Sequence, residues 1–335
     1  MGKVVTLGEI MLRLSTNLGD RLQESKEFYA HYGGGEANVA ISLANYGHEV
    51  SFLSKVPDHS LGYGVEKYLR SYGVETSHLL KGGPRLGTYY METGIGERAA
   101  SVIYDRAGSS FATMDHVEWS LAECFQDVEL FHISGITPAL SEHWQVMTKE
   151  IMKAAKTAGC QISFDINYRE KLWTQEQAGD VLEQLLPLVD ICSASNLDAL
   201  YLLGIAEAPQ TVAEPLIYYY EKMNEKFPTI HTFYSTKRTV YSASHNDLQG
   251  TLWKNGVYVE SDLHEITPII DRVGGGDAFA GGILHGILTQ MSPQQIIDFA
   301  TAASALKHTI HGDCNSFNQE EVARFLACGS GKIIR

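Results

Sequence analysis

Short apolar runs alternate with amphipathic stretches along nearly the whole chain. Val4–Leu14 is read as a strand, and Glu36–Tyr46 as a helix with Val39, Ala40, Leu43 and Ala44 on one face. Val50–Val56 is the next strand and Gly64–Tyr72 the next helix, closed by Gly73. Residues 85–106 break the rhythm. Thr88–Thr93, a turn at Gly94–Glu97 and Ser101–Tyr104 predict a hairpin of half-exposed strands. The alternation then resumes with strand Leu130–Ser134, helix 141–157, strand Gln161–Asn167, helix 175–186, strand Asp190–Ala194 and strand Thr232–Thr236. A second antiparallel patch, Val240–Ser244 with Leu252–Val259, precedes a glycine turn at 274–276 and helices near 277–290 and 293–310. Strands alternating with helices mean a mostly parallel sheet covered on both faces. The early hairpins predict a small β lid over that sheet's ligand edge. No repeat or linker divides the chain, so residues 1–335 are expected to form one α/β domain with lid segments near 9–32 and 85–110.

Composition narrows the partners. Lys and Arg number 26 against 40 Asp and Glu, a formal charge of −14. That balance speaks against nucleic acid and against anionic membrane surfaces, which call for a basic face. Small anionic substrates remain open, since a few cations in a cleft suffice for them. Five cysteines, an odd number without a Cys-x-x-Cys, predict reduced thiols and a cytoplasmic setting rather than a disulfide frame or a zinc ribbon.

Three runs carry candidate chemistry. In Asp271-Arg272-Val273-Gly274-Gly275-Gly276-Asp277, three glycines open a helix, where unblocked backbone N–H groups and the positive end of the helix dipole suit a phosphate. Asp277 would repel that phosphate, but makes sense as the base for a hydroxyl attacking it. The run is neither a Walker loop nor a dinucleotide fingerprint, because Phe279 stands where the third spaced glycine belongs. Gly33-Gly34-Gly35-Glu36-Ala37-Asn38 is a second set of glycines opening a helix, suited to the acceptor. In Ser163-Phe164-Asp165-Ile166-Asn167-Tyr168-Arg169, strand alternation places Asp165, Asn167 and Arg169 on one side at the sheet's ligand edge.

Together these runs resemble the PfkB (ribokinase-like) family of carbohydrate kinases, in order and spacing over nearly the whole chain. Ile133–Ser141, Asp165–Trp173 and Tyr104-Asp105-Arg106 with Ala107-Gly108-Ser109 resemble the 2-keto-3-deoxygluconate kinases within it. The resemblance implies a ribokinase-like three-layer αβα sandwich and ATP-dependent phosphorylation of 2-keto-3-deoxygluconate. It makes Asp277 the catalytic base and Gly274, Gly275 and Gly276 the anion hole. It assigns Gly34, Asn38, Tyr89, Tyr104, Arg106, Arg169 and Asp313 to the sugar acid, and Ser195 and Asp198 to the nucleotide phosphates and magnesium. It further implies Mg²⁺ carried mainly by ATP rather than by a protein cage, a role for a monovalent cation left open, and a homo-oligomer. Other sugars or sugar acids, and a nonenzymatic sensor on the same fold, are the alternatives; an intact Asp277 speaks against the sensor.

Two departures matter. The nucleotide loop of many relatives carries Gly-x-x-Gly, where this chain has Lys237-Arg238-Thr239-Val240, leaving Lys237 or Arg238 to reach a phosphate. Arg13 and Ser15 stand where fructokinase-like members often place an aspartate, which counts against a neutral sugar.

Overall fold

Successive side chains of a strand face opposite sides, and in this computed structural model, which describes residues 2–328, the first strand uses both. The N-terminal half contributes β1 (Lys3–Leu7), β2 (Met11–Ser15), β3 (Tyr29–Gly33), β4 (Glu49–Val56), β5 (Leu79–Lys81), β6 (Thr88–Glu92) and β7 (Ser101–Asp105). After them come β8 (Leu130–Ser134), β9 (Gln161–Asp165), β10 (Ile191–Ser193), β11 (Thr232–Ser242), β12 (His245–Lys254), β13 (Val257–Glu260) and β14 (His264–Ile266). The main sheet runs β13-β12-β11-β10-β9-β8-β1-β4-β5, with β14 beside β12. It is parallel from β11 to β5 and antiparallel at β12, β13 and β14.

The helices are α1 (Gly35–Asn45), α2 (Ser60–Ser71), α3 (Leu121–Cys124), α4 (Glu142–Thr157), α5 (Gln175–Leu185), α6 (Asn196–Tyr201), α7 (Pro215–Lys226), α8 (Gly275–Leu288), α9 (Pro293–Lys307) and α10 (Gln319–Cys328). Val5 and Leu7 join a core with Trp144, Ile151, Leu182 and Tyr220 from α4, α5 and α7. Val4 joins a second core with Ile41, Leu69, Ile283 and Ile297 from α1, α2, α8 and α9. The result is the expected three-layer αβα sandwich. Met1 and residues 329–335, the ends of the expected 1–335 domain, lie outside the described residues.

A separate sheet, β3-β2-β6-β7, forms the lid from two segments far apart in sequence. Its parallel β2–β6 pair could not have been read as a hairpin. The single strand expected over Val4–Leu14 is two strands: Gly8–Ile10 breaks it, and β1 and β2 enter different sheets. The hairpin expected from Val240 is also longer. β11 runs from Thr232 to Ser242 and pairs with β12 to its end, with a register shift between Val240 and Ser242.

Candidate active site

Both glycine runs end at the same place. Gly33 closes β3, and Gly34 precedes α1 with an extended backbone. Side chains are excluded here by neighbours: a Cβ on Gly33 would strike the Asp313 carboxylate, and one on Gly34 the Glu9 carbonyl. Gly274 opens α8 in a left-handed conformation, φ 78°, with its Cα packed on the Asp313 carbonyl. Beneath Gly275 lies His308, whose Nδ1 is 2.6 Å from the Ser304 carbonyl. Burial lowers its affinity for a proton to a pKa of about 4, assisted by Arg238, Lys307 and Arg272. The helix then starts with two free donors: among the described residues the N–H groups of Gly276 and Asp277 have no acceptor.

Asp277 bridges the two runs. Its Oδ2 accepts from Asn38 Nδ2 of α1 at 2.7 Å, and Gly35 faces its Oδ1 with only van der Waals space between. Burial raises the carboxyl from 3.8 to about 7, with Asp165, Glu36 and Asp313 adding like charge and the Asn38 bond opposing. A carboxylate poised near neutrality, beside unpaired N–H groups, can accept a proton from a hydroxyl held against a phosphate.

Around it lies a ring of carboxylates. Asp165, at the end of β9, is raised to about 6 by burial, with Asp198 contributing. Fully buried Glu36 accepts from the Ser134 N–H at 3.1 Å and its hydroxyl at 2.5 Å. Ser195 and Asp198 cap α6 reciprocally, with Asp198 Oδ2 accepting from the Ser195 N–H and hydroxyl, each at 2.7 Å.

On the sugar side, Tyr89 from β6 is buried, donates its hydroxyl to Asp313, and packs tilted against half-exposed Tyr104 of β7, with ring centroids 5.6 Å apart. Asp313 is itself buried, with its other oxygen bound to Arg13 at 2.6 Å. Arg106 is not a free cation. Nε and Nη2 both go to buried Glu9, Nε at 2.8 Å, and Ser109 donates to the same carboxylate at 2.5 Å. Nη1 keeps no protein acceptor among the described residues.

Two expectations need correction. β9 ends at Asp165, and Asn167 adopts φ 41°, so strand alternation does not carry Arg169 onto the same side. Arg169 is exposed, bonded weakly to the Tyr168 carbonyl, and reaches the site only as a charge felt by Asp165. Lys237 does not stand ready for a phosphate, because Glu214 and Glu260 hold its ammonium at 2.9 and 2.7 Å. Its neighbour Arg238 differs: burial and adjacent Arg272 lower its pKa to about 10, and its Nε lacks a partner. Neither guanidinium meets a carboxylate among the described residues, so together they offer an anion site beside the glycine turn.

Glu9, Glu36 and Arg272 escape the sequence reading. Glu36 stands directly after Gly33–Gly35, Arg272 two residues before Gly274–Gly276, and Glu9 after the single glycine Gly8; a charged residue beside a close-packed glycine is the signal for each.

The pattern described as pfkB family carbohydrate kinase matches residues 1–320. The chain belongs to that family. Among its relatives is a 2-dehydro-3-deoxygalactonokinase of Haloferax volcanii, 34% identical over 99% of both chains. A crystal structure of a PfkB family carbohydrate kinase from Listeria grayi is 45% identical, covers 97% of this chain and 99% of its own, and superposes with a TM-score of 0.93. That of a 2-dehydro-3-deoxygluconokinase from Thermotoga maritima is 36% identical, covers 98% and 100%, and has a TM-score of 0.94. The family makes this chain a carbohydrate kinase, a phosphotransferase acting on an alcohol group.

Proposed function

We propose that the protein transfers the γ-phosphoryl group of ATP to the 6-hydroxyl of 2-keto-3-deoxygluconate, forming 2-keto-3-deoxy-6-phosphogluconate. The observation that carries this reading is Asp277, raised to about 7 and held by Asn38 at the meeting point of both glycine runs. The acceptor oxygen attacks the γ-phosphorus, the bond to the β-phosphate oxygen breaks, and the acceptor's proton passes to Asp277. The N–H groups of Gly276 and Asp277 and the turn Gly274–Gly276 take the charge on the transferring group. Arg238 and Arg272 grip the nucleotide phosphates. Lys237, committed to two glutamates, drops out of that role.

Asp165, at the end of β9, and Asp198, in α6 directly after the neighbouring strand β10, are carboxylates of the kind that suits a hard cation. Mg²⁺ bound there and on ATP would neutralise phosphate charge. The sugar lies between Gly34, Asn38 and the lid, with Tyr89 and Tyr104 forming its wall and Asp313 buttressing Tyr89. Arg106, oriented by Glu9, offers Nη1 to the acid group, and Arg169 adds positive charge at the rim. The acid names of the Haloferax and Thermotoga relatives support an acid substrate. The galactonate relative also supports the C4 epimer, 2-keto-3-deoxygalactonate, as a second substrate. Apolar side chains exposed on and beside the lid, Leu18, Phe28, Tyr29 and Ile103, support self-association.

Product identity tests the reading. Incubation with Mg·ATP and the keto acid should give one equivalent each of ADP and a phosphomonoester coupled to the C6 protons in ³¹P NMR. ADP release without that ester would contradict it.

A further inference from the structure

Four charged side chains with no part in the proton transfer are buried together between the lid and the glycine turn. Arg13 of β2 donates Nη2 to Asp271 Oδ2 at 2.7 Å, Nη1 to Asp313 Oδ1 at 2.6 Å and Nε to Ser15 at 2.6 Å. Lys307, the last residue of α9, is 0% exposed, and its ammonium donates to the Asp271 carbonyl at 3.1 Å. No carboxylate lies within ion-pair distance of that ammonium among the described residues. An ammonium taken out of water with only a carbonyl as partner is costly, and burial does lower the proton affinity of Lys307. The neighbouring charges of Asp271 and Asp313 work the other way. Two cations against two anions leave the quartet neutral.

The quartet reaches both halves of the site. Asp271 Oδ1 accepts from the Val273 N–H at 3.1 Å, fixing the entry to the glycine turn, while Oδ2 accepts from the Gly312 N–H at 3.2 Å. Asp313 holds Tyr89 of the lid through one oxygen, and its carbonyl packs on left-handed Gly274.

We propose that Arg13 and Lys307 are positioning residues that lock the lid strands to the phosphate-binding turn. Arg13 bridges the two aspartates from the lid side. Lys307 supplies the balancing charge from below and holds the Asp271 carbonyl inward, which fixes the direction of the N–H groups at 276 and 277. The proposal rests on the reading of Asp277 and its turn as the phosphoryl-transfer end.

Lys307→Met removes the charge and Lys307→Gln keeps a donor without it. Both should lower kcat tenfold to a hundredfold while changing KM for ATP and for the acid less than threefold. Amide hydrogen exchange at Val273 and Gly275, whose N–H groups are bonded to the Asp271 carboxylate and the Arg272 carbonyl, should quicken in both. Combined with Arg13→Met, the losses in kcat should be strongly less than multiplicative, because either change already unbalances the same unit. Wild-type kcat and unchanged exchange in Lys307→Gln, or multiplicative losses in the double variant, would overturn the proposal. Should Lys307→Met fail to fold, the Gln variant decides alone. A fully active Asp277→Asn would instead sink the assignment of the transfer end, leaving the exchange result standing as evidence for the lock.

Discussion

Replacing Asp277 by Asn should make the protein more stable and nearly inactive, with both effects tied to one titration. The unfolded carboxyl loses its proton near its ordinary value of 3.8, the folded one near 7. Between those values the folded chain holds more protons than the unfolded, so stability falls as pH rises from about 4 to about 7 and stays reduced above. The full displacement corresponds to roughly 4 kcal/mol at 1.36 kcal/mol per tenfold. Asp277 is only part-buried, and solvent screening at the mouth reduces this to on the order of 2–4 kcal/mol. Asn keeps the shape and can accept the Asn38 donor through its oxygen, but carries no charge. Denaturant unfolding at pH 8 should show it more stable than wild type by that amount, with the gain shrinking as pH falls toward 4. Turnover should move oppositely. A positioned base is worth roughly 10²–10⁴-fold, or about 3–5 kcal/mol, with the low end favoured by a loose phosphoryl transition state. In single-turnover assays the variant should bind both substrates yet transfer slowly, and wild-type kcat/KM should rise tenfold per pH unit up to about 7, then level. Wild-type-like transfer in Asp277→Asn, together with no stability gain at pH 8, would refute the reasoning.

The two outer glycines of the turn should separate folding from catalysis. Gly274→Ala meets both a φ of 78° and the Asp313 carbonyl and should unfold at markedly lower temperature, whereas Gly276 has open space around its Cα. Gly276→Ala should therefore leave the melting temperature within a few degrees, yet cut kcat by obstructing the phosphate, as thermal scans and steady-state kinetics would show. Arg106→Ala orphans the buried Glu9 carboxylate, which should cost about 3–5 kcal/mol of stability; adding Glu9→Gln should restore stability in denaturant melts. The double variant should still lose tenfold to a hundredfold in kcat/KM on the acid, from about 1.5–3 kcal/mol per charge-assisted bond, and little on a neutral sugar. Excess chelator should abolish turnover, with Mg²⁺ restoring it, because the carboxylates near Asp277 do not replace a divalent cation.

Local patterns in the sequence carry much of this architecture. The alternation of strands and helices, the glycine runs opening α1 and α8, and the lid strands β6 and β7 follow from side-chain period and turn chemistry. What stayed hidden was decided by partners distant in the chain. Arg13 meets Asp313 across 300 positions and Asp271 across 258, and nothing near Arg13 announces either. The same holds for Arg106 and Glu9, and for Lys237, whose two glutamates come from α7's cap and from β13. Arg169 differs for a local reason: placing it on that side needs the strand period to run four residues past Asp165, but β9 ends there and Asn167 turns the backbone into a left-handed conformation.

The central claim is that this kinase acts on a keto-deoxy sugar acid. The most direct test is kcat/KM of the purified chain, at saturating Mg·ATP, for 2-keto-3-deoxygluconate, 2-keto-3-deoxygalactonate, fructose and ribose. One or both acids should exceed the neutral sugars by at least tenfold to a hundredfold, the worth of one charge-assisted hydrogen bond. Fructose or ribose turned over as efficiently as either acid would contradict the account.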